Sequence, residues 1–246
     1  MSAAQRQRVG PVLPSWLWLW FPPVLLLVIL PIRVIDPALY RSFVDGELGL
    51  IELATPAIAI IGAVVGIRLA LNLRQYLLSP LGCWTVVMTL ACIYFAGEEL
   101  SWGQHLVGWS TPDYIGALND QNETNLHNMS SWFDQKPRLM LEIWVLVGGV
   151  IVAARGQRGQ TTVVPARISS WVWPTVDCLP AAVLAILIRM PERLKDLFSL
   201  QSLPYELRYS EPQEYYFALF LALYLMALSA RVRSDLGAAD GSHRLR

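Results

Sequence analysis

Two short stretches hold most of the residue types that could do chemistry. The first is Gly97-Glu98-Glu99-Leu100-Ser101-Trp102-Gly103-Gln104-His105, and the second is Asn119-Asp120-Gln121-Asn122-Glu123-Thr124-Asn125-Leu126-His127-Asn128. Glu98 and Glu99 close an apolar run long enough to be a membrane helix. Each ionisable group at mid-bilayer costs about 2.5–3.5 kcal/mol on insertion scales and less near an interface, so such groups are usually paired or functional.

Spacing suggests which side chains could meet. Glu98, Trp102 and His105 share one face if the helix continues past Leu100, with Glu98 and His105 about 10 Å apart along the axis. Glu123 and His127 form a closer i, i+4 pair, and Asn119 extends their face by a turn. Two more acids, Glu52 and Glu142, begin other apolar runs at what should be the same depth. Two of the three histidines, His105 and His127, fall beside these acids.

Several chemistries fit this pattern. Imidazoles and carboxylates suit zinc, iron or manganese. His105, Glu123 and His127 could hold such a divalent metal, with Glu98 or Glu99 as a further ligand or general base. The ion would activate a water for attack on an ester, amide or phosphoester. No His-Glu-x-x-His or His-x-x-x-His pair strengthens that reading. Alternatively, Glu98 and Glu99 divide into acid and base without a metal, because adjacent carboxylates in a half-buried site repel. Trp102, Gln104, Asn125, Asn128, Glu52, Glu142 and Arg208 would then support the site or touch substrate. The structural alternative has the carboxylates bonded to Arg138, Arg208, Trp102 and the asparagine amides, pinning this segment to the bundle. Proton-coupled transport is a further alternative, with Asp177 as the acid nearest the opposite face and no inverted repeat in support.

The elements that must position these residues are membrane helices. The chain has 246 residues, 54% hydrophobic and only 15% charged, where a soluble domain carries roughly 25%. Mean hydropathy is +0.42. A span needs about 20 mostly apolar residues. Six runs come near that: residues 16–35, 48–71, 81–100, 139–154, 171–188 and 215–230. The whole chain, 1–246, reads as one all-α integral membrane bundle. The first run continues too far for a cleaved signal and reads as a retained span.

Lys and Arg orient the bundle. With the N-terminus inside, 11 of the 19 basic residues fall on the inner side and 8 on the outer. Both termini are therefore expected in the cytoplasm and the protein in the cell membrane. The outer segments 101–138 and 189–214 then carry the chemistry, folded as short interfacial helices. Pro191 to Phe198 reads as one of these, with Pro at its first position. Gly148-Gly149 should permit close helix packing.

Other features carry less. The three cysteines, Cys83, Cys92 and Cys178, lie in apolar stretches and read as small buried hydrophobes. Two glycosylation sequons, at Asn122 and Asn128, overlap the candidate site. Net charge is zero and no basic stripe is present, so nucleic acid is not a partner. The bilayer itself is the expected partner, with a lipid or lipid-linked substrate at the outer leaflet.

Glu98-Glu99-Leu100-Ser101-Trp102-Gly103-Gln104, followed by Asn122-Glu123-Thr124-Asn125-Leu126-His127-Asn128, resembles a pattern in bacterial multi-pass membrane proteins with no established activity. The resemblance covers about the middle of the chain and implies a membrane bundle, without a reaction.

Overall fold

The computed structural model describes residues 10–43, 49–119, 123–126, 131–155, 169–201 and 209–243. All regular structure among them is helical. Five helices are long and apolar enough to cross a membrane. α1 (Trp16–Ile35) is followed by the short α2 (Pro37–Phe43). α3 (Leu50–Asn72) and α4 (Pro80–Glu99) form an antiparallel pair. Two short helices, α5 (Gln104–Val107) and α6 (Asp113–Gly116), come next. α7 (Ser131–Trp144) runs on through Val145–Val152 and Ala153–Arg155, so that its apolar part is Gln135–Arg155. After α8 (Leu179–Leu187) and α9 (Met190–Leu197), the chain ends in α10 (Ser210–His243), apolar over Ser210–Asp235.

α10 is the axis of the bundle. Its most apolar window is 83% buried, against 17–39% for the other four. Tyr216, Phe217, Phe220, Leu223, Tyr224 and Leu228 are all buried, on every side of the helix. A helix apolar all round needs partners all round, and α1, α3, α4, α7 and α8 supply them. Its polar atoms are used inside the bundle. The Tyr216 hydroxyl donates to the Pro22 carbonyl at 3.0 Å, where the prolines interrupt the regular turns of α1, and Gln213 Nε2 donates to the Ala185 carbonyl at 3.1 Å.

Lipid tails are as apolar as Leu, so helices in a bilayer associate through close packing rather than hydrophobic expulsion. Small residues provide that closeness. A Cβ on Gly66 would lie 2.3 Å from Thr89 Oγ1, and one on Gly62 3.1 Å from Cys92 Sγ and 3.2 Å from Ala222 Cα. Gly62 and Gly66 thus seat α3 against α4 and α10. Gly149 does the same for α7, since its Cβ would stand 2.5 Å from the Phe220 ring and 2.7 Å from Ala182. The packing expected at Gly148-Gly149 is present.

The run expected to span over 171–188 is broken. It divides into a turn at Ser169–Val172, a tight turn at Val176–Cys178 and the nine-residue α8. Pro174 lacks an N–H and pushes the preceding residue out of the helical region. Asp177 holds the break. Its buried carboxylate accepts from the backbone N–H groups of Val12 and Leu13 at 3.0 and 2.9 Å and from the Thr175 hydroxyl at 2.7 Å. The Asp177 carboxylate thus binds the segment that leads into α1.

Candidate functional site

α4 begins with a Ser79 cap, whose Oγ accepts from the Gly82 N–H at 3.1 Å, and Pro80 at its first position. It ends at Glu98-Glu99. Ser101, Trp102 and Gly103 then all take left-handed backbone, with φ of 46°, 55° and 104°. Such φ values are strained for Ser and Trp and persist only where the surroundings impose them. The helix therefore stops, and the face expected to join Glu98 to His105 does not continue. Glu98 and Trp102 still meet, through the turn: Trp102 Nε1 donates to Glu98 Oε1 at 2.7 Å. The Trp102 ring lies over Gly97, where a Cβ would stand 2.9 Å from it.

Glu98 is 3% exposed, and its second oxygen is also taken. Oε2 accepts from the backbone N–H of Leu126 at 2.8 Å. Around this strut the segment after α4 is knotted by its own side chains. The Ser101 hydroxyl donates to Glu123 Oε2 at 2.8 Å, and Asn125 Nδ2 donates to the same oxygen at 2.6 Å. Asn119 Nδ2 reaches Asn125 Oδ1 at 2.9 Å, while Asn119 Oδ1 accepts from the Glu123 N–H at 3.1 Å. Gln104 accepts from the Thr124 N–H at 2.6 Å and donates to Thr111 Oγ1 at 2.9 Å.

The expected Glu123–His127 helical pair does not form over the described part, because residues 123–126 are not helical. Glu123 turns instead toward Ser101 and Asn125. His127, Asn128 and Arg208, like the side chain of His105, lie outside the described residues. Among the described residues no three His, Cys, Asp or Glu form a group able to hold a metal ion. Glu142 binds Arg193 in an ion pair that ties α9 to α7.

Glu99, set about 100° round the helix from Glu98, makes none of these bonds, although both residues line the same cavity. It stands at the polar end of a cavity of about 530 Å³ between α4, α7 and α10. The walls are apolar: Met88, Ala91 and Phe95 from α4, Leu141 from α7, and Phe217 and Leu221 from α10. Trp84 and Trp144 meet edge to face at 5.9 Å and form its deep end. There Trp84 Nε1 donates to the Tyr224 hydroxyl at 2.5 Å.

The polar end carries Arg138, whose Nη2 binds Glu214 Oε1 at 2.6 Å. Glu99 has Glu214, Arg138, Glu211 and Glu52 within electrostatic reach. It makes no hydrogen bond or ion pair of its own among the described residues. Three elements thus bring acids to one end of the bundle: the first turn of α3, the last of α4 and the first of α10.

Sequence reasoning allowed Arg138 to bond the carboxylates but missed its pairing with Glu214 and the cavity that this pair shares with Glu99. The available signal was that both residues open apolar runs at the end where α4 closes on Glu99. The arrangement can bind an amphiphile along the apolar walls and exchange a proton or charge-assisted hydrogen bond at its head.

Among the described residues, fold and site together define an all-helical chain with five helices apolar enough to cross a membrane and a cavity headed by carboxylates. No family model matches the chain, and neither a curated protein nor a solved structure matches it.

Proposed function

We propose that the protein is a six-crossing membrane enzyme. It admits a lipid or lipid-linked substrate from the outer leaflet into the α4–α7–α10 cavity and acts by acid–base chemistry at Glu99, in a hydrolysis or group transfer. The observation that carries this reading is the placement of the Glu99 carboxyl, which has no hydrogen-bond partner among the described residues and heads an apolar cavity beside the Arg138–Glu214 pair. Glu99 and Glu214 have unlike surroundings, one tied to a guanidinium and one not. Carboxylates set apart in this way can take different roles as acid and base. The metal-assisted form of the reaction rests on His105 and His127, with Glu123 as a third ligand.

Six crossings are supported by the contacts of the broken segment. The Arg231 guanidinium lies over the Trp171 ring at 4.8 Å, and Gln213 reaches Ala185. From Gln213 to Arg231, α10 rises about 27 Å, close to the thickness of a hydrocarbon core. Irregular backbone at that depth is tolerated where protein buries it, as it does at Thr175, Asp177 and Cys178. Six crossings put both termini on one side, which the Lys and Arg distribution favours as the cytoplasm, and Glu99 on the other. The knotted segment and α9 then lie at the outer interface.

Lipid profiling of membranes tests the reaction. Cells expressing the wild-type chain should lose one lipid species and gain its product. Glu99→Gln and the cavity-filling Ala91→Trp should each leave the profile as in cells without the protein. A product that accumulates equally with Glu99→Gln overturns the assignment.

A structural or assembly role is the second reading. It is favoured by Glu98, whose two oxygens are both spent on holding the chain's own backbone and indole. Transport finds less support, because the deep end of the cavity is two tryptophans rather than a polar path.

A further inference from the structure

We infer that the cavity takes a single-chain amphiphile whose head is a protonated amine. This deepens the proposed function and rests on it. Three observations point to that ligand. The first is charge. Among the described residues, Glu99 has three further carboxylates, Glu52, Glu211 and Glu214, and one guanidinium, Arg138, within electrostatic reach. A phosphate or carboxylate head would add a like charge to this group, whereas an ammonium would offset one.

The second observation is hydrogen bonding. The Glu99 carboxylate borders the cavity and makes no hydrogen bond among the described residues. A half-buried carboxylate between apolar walls is best satisfied by a donor. An ammonium brings three donors and no acceptor, which matches a site rich in acceptor oxygens.

The third is shape. The cavity of about 530 Å³ runs along α4 from Trp84 to Glu99. That length suits one long chain with a small head. Val87 and Met140 line the cavity and are also exposed on the outer faces of α4 and α7. The opening is therefore lateral, toward the lipid tails, and a chain can enter from the leaflet without crossing water.

The test uses the full chain, purified in a neutral maltoside detergent. Native mass spectrometry titrates a long-chain primary alkylamine, the alcohol of equal length and the fatty acid of equal length. The alkylamine should bind saturably and at least tenfold more tightly than the other two. Glu99→Gln should weaken it by about 10–100-fold, the scale of one charge-assisted hydrogen bond. Glu99→Asp should retain most of the binding. Ala91→Trp should abolish it, which separates the cavity from partition into the micelle.

If the alcohol or the acid binds as tightly as the amine and Ala91→Trp removes it, the amine head is wrong while the amphiphile cavity stands. If no probe responds to Ala91→Trp, both readings fall. The comparison of the three probes on wild-type protein decides the head group even if Glu99→Gln does not fold.

Discussion

Glu98 and Glu99 are adjacent in sequence yet stand in different environments. The Glu98 carboxylate is buried, with one oxygen on the Trp102 indole and the other on the Leu126 backbone N–H. Both residues line the cavity, but the Glu99 carboxylate meets neither of those donors and has Arg138 and Glu214 within electrostatic reach. Half a helical turn is not needed to separate them, since one residue's rotation suffices when the helix stops directly afterwards.

Replacing these two residues should therefore do opposite things. Glu98→Gln keeps one acceptor but turns an NH₂ toward a donor, either the indole or the Leu126 N–H. Leaving a buried donor unmatched costs about 1–3 kcal/mol. Thermal unfolding in detergent should show that loss for Glu98→Gln. Glu99→Gln should be neutral or stabilising, as for groups kept for function rather than fold. Equal destabilisation by both would contradict the division of roles.

Gly97→Ala should disturb the same strut from below. Its Cβ would meet the Trp102 ring at 2.9 Å, so the ring must move and the Glu98 bond must lengthen. Overpacking of this kind costs about 1–3 kcal/mol. Combined with Trp102→Ala, the alanine should cost much less, and a double-mutant cycle measures that coupling.

Much of the fold was legible before the structure. Five of the six apolar runs are helices of spanning length, because twenty apolar residues have few other stable forms in lipid. The run at 171–188 was not legible, since composition cannot show that the helix breaks at Pro174 or that the Asp177 carboxylate at the break accepts from the Val12 and Leu13 N–H groups. Among the site residues, the sequence pointed to Glu98, Trp102, Gln104, Glu123 and Asn125 together, and the structure gathers them in one knot. Their roles were less legible. Helical spacing past Leu100 assumed a helix that the left-handed turn at Ser101-Trp102 ends. Gly62-x-x-x-Gly66 was a readable packing signal that the sequence reading passed over.

Gly66 gives a further test. Gly66→Ala places a methyl 2.3 Å from Thr89 Oγ1, so α3 and α4 must separate or Thr89 must rotate away from its bond to Thr85. Stability should fall by about 1–3 kcal/mol. Thr89→Ala in the same chain should recover part of that loss, as read from unfolding curves of the four proteins in the cycle.

Asp177→Ala should free the segment before α1. It leaves the Val12 and Leu13 N–H groups and the Thr175 hydroxyl without their acceptor. Limited proteolysis should then cut ahead of Trp16 faster than in the wild type. Asp177→Asn, which keeps one oxygen for the two N–H groups, should fall between. No change in either variant would mean that the segment is held by other contacts.

The most direct test of the central claim is labelling with a hydrophobic carbodiimide, which reaches carboxyl groups from the lipid phase. Peptide mass spectrometry should find the adduct on Glu99 and not on Glu98, and Ala91→Trp should suppress it. A Glu99 that stays unmodified in the wild-type protein, or that labels no more than Glu98, whose oxygens are held by Trp102 and Leu126, would contradict a cavity headed by Glu99.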